Sequence, residues 1–294
     1  MFVNAIELVS QFTRPIHSIE RFYGSTEVFP GAASLFFVNA DGWALTCKHV
    51  ADRIVGSDEL HKRKQSFDAD FAAQKGKKKD KQIFRELEHK YKLNHQAVFE
   101  IRNVFVNCVE GNLDLQLTAH QNLDIALLHF RNFTKLQCST FPVFPKDTIP
   151  LKQGKFLCRL GFPFPEFTNF AYNSATDTIE WTKTGKDHTP IFPIEGMLTR
   201  HLADQSGQII GFEMSTPGLR GQSGGPVFDF EGKVWGMQSA TNHLDLDFDV
   251  NKDVIRTGQK KTVKDSAFLH VGHCVHVEML KSFMRQHKVD FQEQ

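Results

Sequence analysis

One segment, Gly221-Gln222-Ser223-Gly224-Gly225-Pro226, constrains this chain more than any other. A serine hydroxyl attacks a carbonyl only when a base takes its proton, and the resulting oxyanion needs fixed donors. The amides of Gly221 and Ser223 can converge on one oxyanion in a tight turn, which glycine permits because it has no Cβ. The pattern therefore indicates a nucleophile loop with Ser223 as nucleophile and Gly221 and Ser223 as the oxyanion hole. A glycine-rich turn without chemistry is the alternative.

Candidates for the base and its orienting acid lie upstream of this loop. His49 lies near the end of the segment Gly42–Val50, which is a short apolar strand running into a turn, and Asp124 begins the apolar strand Leu123–Leu128. A carboxylate beside such a strand is costly to bury without a partner. The order His49, Asp124, Ser223 differs from the subtilisin and α/β-hydrolase orders. We therefore predict a triad of these three residues.

Other histidines and acids compete for these roles. Among 14 histidines, His120 and His129 lie near Asp124, and we expect both to be structural. Asp114 is the main alternative for the acid, but it lacks the apolar run that follows Asp124.

Three segments carry a family resemblance. "GWALTCKHV", "LDIALLHF" and "PGLRGQSGGPVFDFEGKVWGMQSA" resemble the histidine strand, aspartate strand and serine loop of the trypsin-like peptidase superfamily, most closely its bacterial, disulfide-free HtrA/Deg branch. Weaker matches lie at 160–163 and 195–199, and the resemblance covers roughly residues 25–50 and 98–288. It implies a mostly β, chymotrypsin-like double β-barrel and a serine endopeptidase without a cofactor. No PDZ domain is expected, because no segment of that size follows residue 288.

We predict a single trypsin-like domain over residues 1–294. Its expected parts are an accessory segment 1–20, a first barrel 21–145 with a charged helical insertion 52–95, a second barrel 146–274 and a C-terminal helix 275–288. Residues 32–50 are expected to form a hairpin that turns at 39–42. In the insertion, Ile83, Phe84, Leu87 and Tyr91 recur at helical spacing, which predicts one packed face. The lysine-rich run 75–81 is expected to be a solvated linker, with a docking site for an acidic partner as the alternative.

Residues around Ser223 give expectations for activation and specificity. Animal trypsins have an aspartate before the nucleophile, which pairs with a newly cleaved N-terminus; Gln222 cannot make that ion pair, so ordering of the loop by a substrate or partner is expected instead. The floor of the specificity pocket should come from residues 216–218, including Pro217, where no carboxylate is present. Cleavage after lysine or arginine is therefore disfavoured. Gln238 and Ser239 as pocket wall favour small or medium uncharged side chains, and Arg220 at the mouth favours an acidic neighbour.

Two patterns resemble metal sites. In the segment 270–276, His270, His273, Cys274 and His276 have ligand chemistry, but alternation on a strand points His273 away from Cys274. The acidic residues of 245–253 alternate like the start of a calcium loop, but valine stands at the required glycine position and arginine at the closing glutamate. We predict no metal, and expect 245–253 to form an exposed acidic loop.

The composition limits which binding partners and which cellular compartment we expect. The net charge is +1, which gives no global attraction to nucleic acid or anionic membranes. No apolar run approaches the ~20 residues needed to span a bilayer, and the first residues do not resemble a signal peptide. Five scattered cysteines predict reduced thiols and a cytoplasmic protein. The partner is expected to be a protein or peptide substrate, with a possible activating protein that engages the insertion. A catalytically silent, peptide-binding pseudo-protease or scaffold is the alternative function.

Overall fold

The computed structural model of the chain describes residues 1–256 and 259–294, without the side chains of 250, 256, 259 and 264–266. The fold is mostly β, as predicted. Its helices are α1 (Val3–Ser10), α2 (Lys48–Gln74), α3 (Asp80–Lys90) and α4 (Val277–Gln286). Its strands are β1 (Thr13–Phe22), β2 (Phe29–Phe37), β3 (Trp43–Thr46), β4 (Val98–Phe105), β5 (Val109–Ala119), β6 (Ala126–Leu136), β7 (Val143–Phe144), β8 (Phe156–Arg159), β9 (Phe170–Asn173), β10 (Thr178–Trp181), β11 (Ile194–Ala203), β12 (Ile209–Met214), β13 (Pro226–Phe228), β14 (Val234–Arg256), β15 (Gln259–His276) and β16 (Gln292–Glu293).

The first half of the chain forms a six-stranded antiparallel sheet in the order β4-β1-β2-β3-β6-β5. β2 and β3 make the expected hairpin, which turns over residues 38–42. Its core is built from consecutive apolar residues on β2, β3 and β6, which are fully buried at 35–37, 44–45 and 126–128. His49 follows β3 and Asp124 precedes β6, so this sheet positions both residues.

Residues 13–20, which we expected in an accessory segment, instead belong to the first sheet. β1 pairs with β2 on one side and with β4 on the other. The strand pattern was hidden because polar residues occupy buried positions: Arg21 forms an ion pair with Glu100, and His17 bonds Thr189. These partners lie far along the chain, so the sequence alone gave no reason to bury either residue.

The second half forms a closed barrel in the order β11-β12-β15-β14-β13-β8. β14 and β15 continue beyond the barrel as a long two-stranded ribbon, paired from Gly236–His276 out to Arg256–Gln259. The acidic residues of 245–253 therefore lie on β14, and the expected loop is wrong. Their alternation with apolar residues is the period of a strand.

The helical insertion packs on the first sheet through its own aromatic cluster. Ile83 and Leu87 of α3 are buried against Phe67 of α2 and Phe99 of β4, as the helical spacing predicted. Phe84 is partly exposed and contacts Phe71, with ring centroids 4.6 Å apart. The insertion begins earlier than expected, because α2 already starts at Lys48 and carries the catalytic candidate His49 in its first turn.

The C-terminal helix α4 closes the structure, as predicted. Leu280, Phe283 and Met284 are buried in the main core, and His276 Nδ1 accepts a hydrogen bond from the amide of Glu278 at the helix start. Beyond it, β16 pairs in parallel with β7. Within the described residues, no helix is both long and apolar enough to cross a membrane.

Candidate active site

His49 is fixed by Asp124 at the point where β3 passes into α2. Its Nδ1 lies 2.9 Å from Asp124 Oδ2 and 3.1 Å from Oδ1, and its backbone amide donates to Oδ1 at 3.0 Å. A carboxylate on Nδ1 requires the proton on that nitrogen, so Nε2 of the neutral ring is left with a free lone pair. This is the tautomer that a general base needs.

Asp124 is held ionised by its donors. Burial opposes its ionisation, but hydrogen bonds from His49 and from the Ser239 hydroxyl, at 2.5 Å, hold its pKa well below the usual range. The preceding turn is closed by His120, whose Nδ1 accepts from the amides of Asn122 and Leu123 at 3.1 and 2.9 Å. His120 therefore uses its Nδ1 to hold the turn that precedes Asp124, which is the structural role expected of it.

The competing candidates lie in other contacts. Asp114 pairs with Arg131 and also accepts a hydrogen bond from Asn132, both at 3.0 Å. His129 stacks on Trp43 with ring centroids 3.9 Å apart. The structure thus brings Asp124, and not Asp114, to His49.

Ser223 lies on a loop that the first sheet holds in place. Ser34 of β2 donates from its hydroxyl to the Gly221 carbonyl at 2.7 Å and from its amide to the Ser223 carbonyl at 2.9 Å. Gly221 has φ +95, and a Cβ there would lie 2.3 Å from the Phe162 carbonyl oxygen. Within the described part of the chain, the Gly221 and Ser223 amides donate no hydrogen bond. Neither predicted oxyanion donor is therefore satisfied by the described part of the chain.

The nucleophile hydroxyl points to a different partner from the predicted base. Ser223 Oγ donates to the Ser239 carbonyl at 3.2 Å, and no hydrogen bond joins it to His49 among the described residues. Ser223 and His49 nevertheless line the same cleft, of about 490 Å³, together with Gly221 and Arg220. The hydroxyl must leave the Ser239 carbonyl before it can donate to the ring.

Gln222 anchors the loop from beneath. Its side chain is fully buried; Oε1 accepts from the Leu219 amide and Nε2 donates to the Phe192 carbonyl, both at 3.0 Å. The amide side chain thus bonds the backbone on either side of the loop.

The expected specificity residues line a second cavity beside Ser223. It has a volume of about 460 Å³ and includes Pro217, Arg220, Gln238 and Ser239. Two lining residues were missed, His243 on β14 and His270 on β15. They are opposite each other in the strand register, a relation that only the paired ribbon reveals.

The cysteines and the candidate metal ligands have hydrogen-bond partners within the protein. All five cysteines are free, and burial, then the Asp124 carboxylate, raises the pKa of the Cys47 thiol well above its usual value. The Cys47, His49 and Asp124 ligand atoms lie within 4.8 Å of one another. Cys47 Sγ, however, donates to the Gln238 carbonyl, and a protonated thiol is a poor ligand. In the segment 270–276, His276 caps α4 and Cys274 bonds Gln238, so these residues are not directed at a common point.

Comparisons with known proteins found a matching family model and similar solved structures. Residues 33–237 match the family model described as a trypsin-like peptidase domain. Two similar solved structures are the HtrA-type protease AlgW with a decapeptide (12% identity, TM-score 0.48) and a substituted form of AlgW with a tripeptide (12% identity, TM-score 0.46). Each match covers 97% of this chain, and the chain spans 66% and 62% of those proteins. No curated protein sequence matches significantly.

Proposed function

The chain belongs to the trypsin-like peptidase domain family, and we propose that it is a serine endopeptidase that uses His49, Asp124 and Ser223. The observation that carries the proposal is the His49–Asp124 contact, on the same cleft as Ser223, with two unpaired amides beside the serine. These are the base, the orienting acid, the nucleophile and the oxyanion donors of peptide-bond hydrolysis.

The proposed reaction begins when substrate binding displaces the Ser223 hydroxyl from the Ser239 carbonyl. His49 Nε2 takes the hydroxyl proton while Oγ forms a bond to the scissile carbonyl carbon, and the oxyanion accepts from the Gly221 and Ser223 amides. His49 then gives its proton to the leaving amine as the C–N bond breaks. Water attacks the acyl-enzyme by the same route, with its proton passing to His49 and then to Ser223 Oγ. Asp124 remains ionised and stabilises the imidazolium.

A silent peptide-binding role is the second candidate. It is favoured by one observation, the hydrogen bond of Ser223 Oγ to the Ser239 carbonyl in place of one to His49. In this case the cleft would bind peptides but the serine would not react.

Fluorophosphonate labelling separates the two functions. We expect wild type to label and Ser223→Ala not to label, with Asp124→Asn lowering the rate of hydrolysis by about 10⁴-fold, the loss known for this change in the type case. Asp114→Asn is the matched control, because it removes an equivalent carboxylate that pairs with Arg131 instead. A folded wild type that binds peptides but neither labels nor hydrolyses casein, with or without bound peptide, would contradict the peptidase proposal and favour the silent role.

A further inference from the structure

The cavity beside Ser223 is lined by groups that can carry positive charge. Arg220, His243 and His270 all line it, and among its described lining residues there is no carboxylate. Gln238 also lines it: a Cβ on Gly218 would lie 2.2 Å from Gln238 Nε2, so the amide packs directly against the backbone of the loop. We call this cavity, with these residues, the specificity pocket.

The two histidines act as one polar unit. They face each other across β14 and β15, with their Nδ1 atoms 2.5 Å apart. One proton lies between these two nitrogens, so one ring donates from Nδ1 and the other accepts. The accepting ring, if neutral, carries its own proton on Nε2. The pair therefore presents at least one N–H donor.

A buried guanidinium, that of Arg159, contacts Gln238, one of the residues that line the pocket. Arg159 is fully buried and donates to Gln238 Oε1 and to the Thr216 carbonyl, each at 2.5 Å. Its Nε has no partner, and in the described chain no carboxylate pairs with it. Burial lowers the pKa of this group. A buried cation without an acid is costly, and neutral oxygens of Gln238 and Thr216 offset part of that cost. The guanidinium therefore adds uncompensated positive charge close to the pocket.

We propose that the specificity pocket receives an acidic side chain, so that the enzyme cleaves after glutamate or aspartate. The inference rests on the proposed function and deepens it by naming the substrate class. It replaces the expectation of an uncharged side chain, which considered Gln238 and Ser239 without the two histidines. The carboxylate would accept from Arg220 and the histidine pair, while Gln238, whose amide is engaged by Arg159 and by the Ala240 and His273 carbonyls, forms a fixed wall.

Binding can be tested without catalysis. Product peptides that end in glutamate, glutamine or lysine would be titrated into Ser223→Ala protein, where the terminal carboxylate is common to all three. We expect the glutamate peptide to bind roughly 10–100-fold more tightly than the glutamine peptide, as charge-assisted hydrogen bonds allow. Arg220→Gln, His243→Gln and His270→Gln combined should reduce this ratio to near one. These side chains are exposed, so the core is not disturbed.

Arg131→Gln is the matched control, because it removes an exposed arginine on β6 and should keep the ratio. Hydrolysis of matched glutamate and glutamine substrates by wild type should show the same preference in kcat/KM. If Ser223 labels but the enzyme prefers glutamine, valine or lysine, the pocket inference is overturned and the peptidase proposal stands. If the glutamate peptide binds selectively but nothing is hydrolysed, the peptidase proposal fails and the pocket inference stands.

Discussion

Replacing Gln222 by alanine tests whether the nucleophile loop is ordered by its own contacts. The change removes an acceptor from the Leu219 amide and a donor to the Phe192 carbonyl, each at 3.0 Å, in a fully buried position. A fully buried backbone group left unpaired costs about 1–3 kcal/mol, and these two hydrogen bonds are partly buried, so each group should cost about 1 kcal/mol. We therefore expect the ordered loop to lose about 2 kcal/mol relative to disordered arrangements. That corresponds to a roughly 30-fold lower population of the reactive geometry.

The assay is the second-order rate of fluorophosphonate labelling, with thermal unfolding measured beside it to show that the variant is folded. Gln222→Asp should lower the labelling rate similarly, because the shorter side chain cannot reach both partners and places a carboxylate in a buried position. Gln153→Ala is the matched control: Gln153 also donates to a carbonyl, that of Thr199, but it is exposed. If folded Gln222→Ala labels at the wild-type rate, these two bonds do not set the loop geometry and the reasoning is refuted.

Two further predictions follow from buried titratable groups. Burial lowers the pKa of His17 and of His276 from 6.5 to about 4, so protonation favours the unfolded chain, and each should remove up to about 1.4 kcal/mol of stability per pH unit as the pH falls from 6.5 toward 4. His276→Asn keeps an acceptor at the start of α4 and should flatten the urea-unfolding profile over that window; an unchanged slope would contradict the assignment. Cys138 is the half-buried thiol of the five and should react first with a disulfide reagent in native protein. Cys138→Ser should remove this fast reaction, while in denaturant five thiols of wild type and four of the variant should react; a fast phase that survives the substitution would contradict the burial pattern.

The sequence predicted the parts of the fold that local patterns encode. The β2–β3 turn, the face of α3 and the apolar stripe of α4 lie within a few residues of where periodicity placed them. The short motifs also located His49 and Asp124, which the structure brings into contact. Their catalytic roles, and that of Ser223, remain predictions.

Features that depend on distant partners were not predictable. β1 was missed because Arg21 is buried only by virtue of Glu100 and Asp177. His243 and His270 meet only through the register of the ribbon, and the uncompensated charge of Arg159 depends on the barrel around it. The acidic residues of 245–253 were expected in an exposed loop, and only their pairing with β15 shows that they lie on a strand.

The contacts of Ser34 make the nucleophile loop a joint product of the two halves of the chain. Ser34 lies on β2, while the loop that it bonds precedes β13 in the barrel. A fragment that ends before β8 would contain the strand without the loop, and the complementary fragment would contain the loop without its support. Reassembly of two such fragments would restore these hydrogen bonds, so reactivity of Ser223 would serve as a readout of fragment complementation.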